Sequence, residues 1–214
     1  MLAAAEVGGR QDELSGAVRI GMPEGAASHL APAAVADLVE SYPRLEIQIV
    51  ALPRTFSLSQ READFAIVVT PPAAGRLRIR KIADYRLQLY GAAELLGDHP
   101  PRTPDELRRW RLVGYVPDLI FDKGLDYLSE IPGAPTPAVA STSLLVQLEM
   151  VAAGAGLGML PEFMARRRPG LVPVMPEVTR ITRAYWLVMH QDTAELARIR
   201  RVARAFADAM RARL

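Results

Sequence analysis

Two rhythms of apolar and polar residues run through the chain. Residues 17–22 alternate, with Val18, Ile20 and Met22 on one side and Arg19 on the other, which predicts a β-strand. Over residues 28–41 the period lengthens, and Leu30, Val35, Leu38 and Val39 fall on one helical face. Pro43 pushes Tyr42 out of the α region and ends that helix, while Pro23, Glu24 and Gly25 before it read as a turn. Strands follow at 46–52 and 65–69, the second a continuous apolar run of the kind buried in parallel sheets. Strand, helix and strand in that order require a crossover, so the sheet is α/β in character.

The remaining pattern continues in the same vein. A strand is predicted at 87–90, and Thr103, Pro104 and Glu106 mark a helix start, with the glutamate placed to reach back to the cap amide. Residues 112–115 read as a short strand and 132–137 as a proline-rich connector. Ser141, Thr142 and Ser143 cap a helix over 144–153 with Leu144, Leu145, Leu148 and Val151 inward, and Gly154 sits where a helix ends. Strands are predicted at 157–160 and 184–189. Asp192 and Glu195 read as a capping pair for a last helix, with Leu196, Ile199, Val202, Phe206 and Met210 in one stripe and arginines opposite. Residues 2–14 read as a short helical stub.

Composition narrows the function classes. A chain of 214 residues, 50% hydrophobic and 23% charged, can bury a real core in one large domain or two small lobes. No apolar run approaches the ~20 residues needed to span a bilayer, and the first residues lack the pattern of a secretory signal, so a cytoplasmic protein with no membrane association is expected. The absence of cysteine excludes disulfides, thiolate catalysis and sulfur-ligated zinc. His29, His99 and His190 lie in unrelated contexts without metal-ligand spacing, so neither a metal nor another cofactor is expected. A net charge of +2 does not by itself argue for nucleic acid, and arginines on an amphipathic helix usually form its solvated face. No nucleophile–base pair stands out. Asp118, Asp122 and Asp126 recur every four residues, which suits a solvent-facing helix better than a metal site. No catalytic residue is assigned and no enzyme is expected.

Three strings, in order and well separated, carry a family resemblance. LSGAVRIGMPEGAASHLAPAAVADLVESYPRLEIQI resembles the entry strand, first helix and second strand of the regulatory domain of LysR-type transcription regulators. LSQREADFAIV resembles that family's GELDLAIV strand, and SLLVQLEMVAAGAGLGMLPEF resembles its helix followed by an aGlGiallP turn and strand. The stretch LPRTFSLSQREAD is a few residues shorter than the family's common form, which leaves the helix expected there in doubt.

The resemblance implies a two-lobed, periplasmic-binding-protein-like (type II) fold with two crossover strands. On this reading residues 1–14 end a linker helix, 15–91 and 180–214 form lobe one, and 92–179 form lobe two. The helix-turn-helix of the full regulators would be missing from this chain. The implied function is sensing of a small-molecule effector in the cleft between lobes, within a homodimer or homotetramer whose conformation controls transcription. DNA would be contacted only through the missing N-terminal domain. The first helix of one subunit would pack near the second-lobe helix of its partner. The other reading is a solute-binding protein of a transport system with the same fold, which would need an export signal.

Ligands of open α/β sheets sit beyond the carboxyl ends of strands. Three such places are visible: Pro23, Glu24, Gly25 and Ala26 after the first strand, Thr70 and Pro71 after the third, and Ser141, Thr142 and Ser143 before the helix over 144–153. Tyr115, at the end of its strand, offers a wall with a hydrogen-bonding tip, and Gly158 completes the candidate set. The plain reading of each is structural, since hydroxyls before helices are usually caps. Gly154, Gly156 and Gly158 follow a helix, whereas phosphate-loop glycines precede one, so tight-turn duty is expected of them. Glu24 stands apart: a carboxylate beside a helix start opposes an anionic ligand and points either to solvent or to an effector with hydroxyl or cationic groups.

Overall fold

The structure is a computed structural model that describes residues 14–51, 63–120 and 122–214. The expected helical stub and the doubtful helix in the shortened stretch lie outside these. Nine strands form one sheet, and two long ones tie its halves together. In the first half, β1 (Gly16–Gly21) lies between β2 (Leu45–Val50) and β3 (Phe65–Val68), parallel to both. Val18 and Ile20 point to one face and are fully buried, while Arg19 on the other face bonds the Gln48 side chain at 2.8 Å.

The helical segment after β1 is broken. It comprises α1 (Glu24–His29) and α2 (Ala31–Ser41), with Leu30 at the junction. Pro32 has no amide to offer the Ser28 carbonyl, so the ladder from α1 stops; the Ser28 hydroxyl donates back to the Glu24 carbonyl at 2.9 Å. The expected turn at Glu24 and Gly25 is thus the first turn of α1: Pro23, with an extended ψ of 142°, ends just before it.

β4 (Leu77–Ala92) is 16 residues long, far beyond the four expected. Its first part pairs antiparallel with β9 (Ile181–His190), with a register shift between Lys81 and Ala83. Its last part pairs with β7 (Leu157–Pro161) and β8 (Leu171–Pro173). β9 also pairs with β3, Phe65 opposite Met189, which joins 184–189 to the same sheet as β1, as expected. These are the two crossover strands of the type II fold.

Beyond them, β7 pairs in parallel with β5 (Leu112–Gly114), which pairs with β6 (Val139–Ala140). The helix α4 (Leu144–Ala152) makes the crossover from β6 to β7 and buries Leu144, Leu148 and Val151 against them; Gln147 is buried too, whereas Leu145 is only partly covered. Gly154 takes a left-handed φ of 77° just past α4. Short helices α3 (Ala93–Leu96), α5 (Glu162–Ala165) and α6 (Pro176–Thr179) fill the corners. The final helix α7 (Ala197–Arg211) covers the first half with Ile199, Val202, Phe206 and Met210, and Phe206 meets Phe65 edge-on at 6.2 Å.

Three local expectations are corrected. Residues Pro104–Arg109 form a 3-10 segment, not an α-helix; Thr103 makes no side-chain cap, and Glu106 accepts from the Arg102 amide at 2.8 Å. Asp192 and Glu195 do not cap α7, whose first turn follows an extended Leu196; Glu195 pairs with Arg78 across the sheet. Leu196 leaves the apolar stripe and is 41% exposed. Asp118, Asp122 and Asp126 lie in loops and 3-10 turns, where no helix forms to line them up.

Candidate functional site

The first turn of α1 and the first turn of α4 come from opposite halves of the sheet and meet over a pocket. Ser143 is the N-cap of α4: its hydroxyl oxygen accepts from the Val146 amide at 3.2 Å. The same hydroxyl donates to Oε2 of Glu24 at 2.8 Å, and the Leu145 amide reaches that oxygen at 3.5 Å. Glu24 therefore occupies the place at the α4 N-terminus where an anion would be drawn by unpaired amides and the helix dipole. Its Oε1 has no hydrogen-bond partner among the described residues. A second bridge lies alongside. The Thr70 hydroxyl, just past β3, donates to Oδ1 of Asp122 at 2.8 Å, and Asp122 also caps the next turn by accepting from the Gly124 amide.

Between these bridges the pocket has about 460 Å³ of empty space, part of it open to solvent. Pro23, Glu24 and Gly25 form one wall, Thr142 and Leu144 the facing one, and the floor is aromatic. Four of the chain's six tyrosines converge there: Tyr85 and Tyr185 from the crossover strands, Tyr115 from the end of β5, and Tyr127 from a loop. Tyr85 and Tyr185 stack at 4.3 Å, 13° from parallel, and Tyr115 meets Tyr127 edge-on at 6.1 Å. Burial pushes all four phenols above their ordinary ionisation range, and at Tyr115 the nearby Glu24 carboxylate adds to the push. The rings thus stay uncharged and offer hydroxyl groups and π faces. Tyr115, Leu125 and Tyr127 also line a second pocket, of about 470 Å³ including space open to solvent, together with Gln147 and Met159.

Of the sequence candidates, Pro23, Glu24, Gly25, Tyr115 and Thr142 are brought together in this pocket. Ser143 touches it through Glu24, and Thr70 through the Asp122 bridge beside it. Ala26 is fully buried in the core and Gly158 lies mid-strand in β7, where a Cβ would meet Val151 at 2.6 Å. Neither they nor Pro71 and Ser141 line the pocket; Ser141 instead turns its hydroxyl to the Ser143 amide at 3.1 Å. Gly156 and Gly158 serve close packing, since a Cβ on Gly156 would strike the Arg111 backbone. The sequence reading missed Tyr85, Tyr127 and Tyr185. The only available signal was a hydroxyl-bearing ring inside otherwise strand-like segments such as ADYRLQLYGA.

Among the described residues there is no group of acidic or histidine side chains able to hold a metal, and no helix is long and apolar enough to cross a membrane. The described residues of the pocket include no nucleophile–base pair.

The model of the LysR substrate binding domain matches residues 11–213. The chain belongs to that family. Among solved structures, the CrgA regulatory domain of Neisseria meningitidis, a LysR-type transcriptional regulator, has a TM-score of 0.82 at 20% identity, covering 92% of this chain and 100% of that one. Full-length AphB of Vibrio cholerae has a TM-score of 0.70 at 20% identity, covering 94% of this chain and 69% of that one. The HTH-type transcriptional regulator HdfR of Yersinia pestis (strain Pestoides F) is 24% identical over 149 residues, 68% of this chain and 50% of the relative. The chain thus spans about half the length of the curated relatives it matches. These likenesses identify a LysR-type regulatory domain with the type II fold and favour it over a transport solute-binding protein.

Proposed function

We propose that this chain senses a small-molecule effector in the tyrosine-lined cleft and relays its presence to transcription through the conformation of an oligomer. The observation that carries the proposal is the bridge from Glu24 on α1 to Ser143 on α4, which spans the two halves of the sheet directly over the pocket. A ligand that competes for this bridge, or reinforces it, has different contacts in open and closed forms and so biases their balance. Pro23, Glu24, Gly25, Tyr115 and Thr142 are its contacts; Ser143 and Thr70 hold the walls. The lobes on this reading are 15–91 with 180–214, and 92–179, joined by β4 and β9.

No chemistry is performed on the ligand, and the regulator works in the cytoplasm. DNA contact belongs to a helix-turn-helix region of the longer regulator. A homodimer or homotetramer forms through α2 and α4, where Val39 and Val146 are 44% and 42% exposed and offer apolar contact.

A thermal-shift screen of small metabolites tests the cleft. An effector raises the melting temperature by binding only the folded state. Thr142→Trp, at an exposed position on the cleft wall, should abolish the shift while leaving the unliganded melting temperature in place. A shift that persists in this variant places the ligand elsewhere.

A further inference from the structure

The cleft's charge is as informative as its shape. Among the described residues, its wall carries one ionisable acid or base besides the tyrosines, Glu24, and no arginine, lysine or histidine. The guanidinium of Arg183 lies 5.9 Å from the Tyr127 ring centroid, but it is outside the described wall and held by Glu130 and the Gly124 carbonyl. A ligand carboxylate or phosphate would need a helix N-terminus or a basic side chain. The N-terminus of α4 is already filled by Glu24, and no described residue brings a basic side chain to the wall. Bringing a second anion beside Glu24 in a partly desolvated pocket would be repulsive. A protonated amine meets the opposite situation. Oε1 of Glu24, without a hydrogen-bond partner among the described residues, can accept its N–H, Tyr115 sits close enough to feel that carboxylate, and ring faces attract cations by their quadrupole.

Resting on the reading of the cleft as the effector site, we infer that the effector is an organic ammonium on a small aromatic or apolar body, its nitrogen on Glu24 and its body against Tyr85, Tyr115, Tyr127 and Tyr185. Binding the ammonium engages Glu24 itself, so the cation would act directly on the contact between α1 and α4.

Three probes of one shape and different charge test this: benzylammonium, benzyl alcohol and benzoate, titrated by calorimetry at pH 7 into the chain, its Glu24→Gln variant and its Thr142→Trp variant. Benzylammonium should bind at least about tenfold tighter than benzoate, and Glu24→Gln should remove at least about tenfold of that affinity while changing benzyl alcohol by less than about twofold. Circular dichroism confirms that Glu24→Gln is folded. Tighter binding of benzoate, or benzylammonium binding that Glu24→Gln leaves unchanged, overturns the cation assignment and leaves the cleft as the site. No binding of benzylammonium overturns the assignment as well. Benzylammonium binding that survives Thr142→Trp overturns the cleft reading itself.

Discussion

Two concave surfaces of this molecule are built on opposite principles. The cleft between α1 and α4 has about 460 Å³, is floored by uncharged rings and holds a single carboxylate. The groove between α7 and the outer part of β4 has about 1580 Å³, again including space open to solvent, and is lined by Arg78, Arg80, Arg200, Arg201, Arg204 and Arg211 with one acid, Asp208. The groove is larger and far more charged, and some of its charges are answered locally. Arg211 pairs with Asp208 at 2.6 Å, Arg78 pairs with Glu195, and Arg201 bonds the Tyr42 hydroxyl at 3.0 Å. The cleft has little charge, but what it has is positioned by residues far apart in sequence, and one oxygen has no partner among the described residues. Selectivity comes from such a held and incompletely answered group more than from the number of charges.

If α7 is held from beneath by its apolar face, Phe206→Ala is the most damaging change. Fully buried and edge-on to Phe65, this ring should cost about 3–5 kcal/mol in urea denaturation when removed. A loss below about 1 kcal/mol would mean that the helix is loosely seated. The cleft should instead show itself in alkali. Tyr85, Tyr115, Tyr127 and Tyr185 ionise above the ordinary 10.0 in the folded chain, first because of burial. Raised phenol pKa values stabilise the fold fully below about pH 10, and that contribution is lost as the pH rises above it, because the unfolded chain ionises first. Stability measured by denaturation at pH 9, 10, 11 and 12 should fall across the last steps, and Tyr127→Phe should flatten the fall. An unchanged slope in Tyr127→Phe would contradict the burial of this phenol.

Smaller effects sharpen the contrast. Ser143→Ala removes the cap on α4 and the partner of Glu24 together, and should cost about 1–2 kcal/mol. Arg204→Ala, 78% exposed on the groove wall and 3.8 Å from Asp208, should change stability by less than about 0.5 kcal/mol. Equal losses in the two variants would erase the distinction between a built site and a solvated face.

The same contrast explains what the sequence disclosed. The groove side of α7 was readable because helical period alone separates Ile199, Val202, Phe206 and Met210 from the arginines. The walls of the cleft were readable as well: Glu24, Gly25, Tyr115 and Thr142 sit at strand ends or before helices, where local pattern points. Its floor was not. Tyr85 and Tyr185 reach it through a register between β4 and β9 that links residues a hundred positions apart. The length of β4 was hidden for a related reason. Arg78, Ile79, Arg80 and Lys81 face solvent, and without a buried face the apolar alternation that marks a strand disappears. The failed caps at Thr103 and Asp192 show the limit of cap signatures. The residue types were present, but each acid found a different partner or none.

The central claim, that the cleft and not the groove receives the effector, is tested most directly by two-dimensional amide NMR of the chain during titration with a ligand found by thermal shift. The expected result is a set of shifted resonances clustered on Glu24, Gly25, Tyr115, Thr142, Ser143 and Leu144, with Arg200, Arg204 and Asp208 unmoved. Shifts confined to α7 and the outer part of β4, with the first turns of α1 and α4 unchanged, would contradict it.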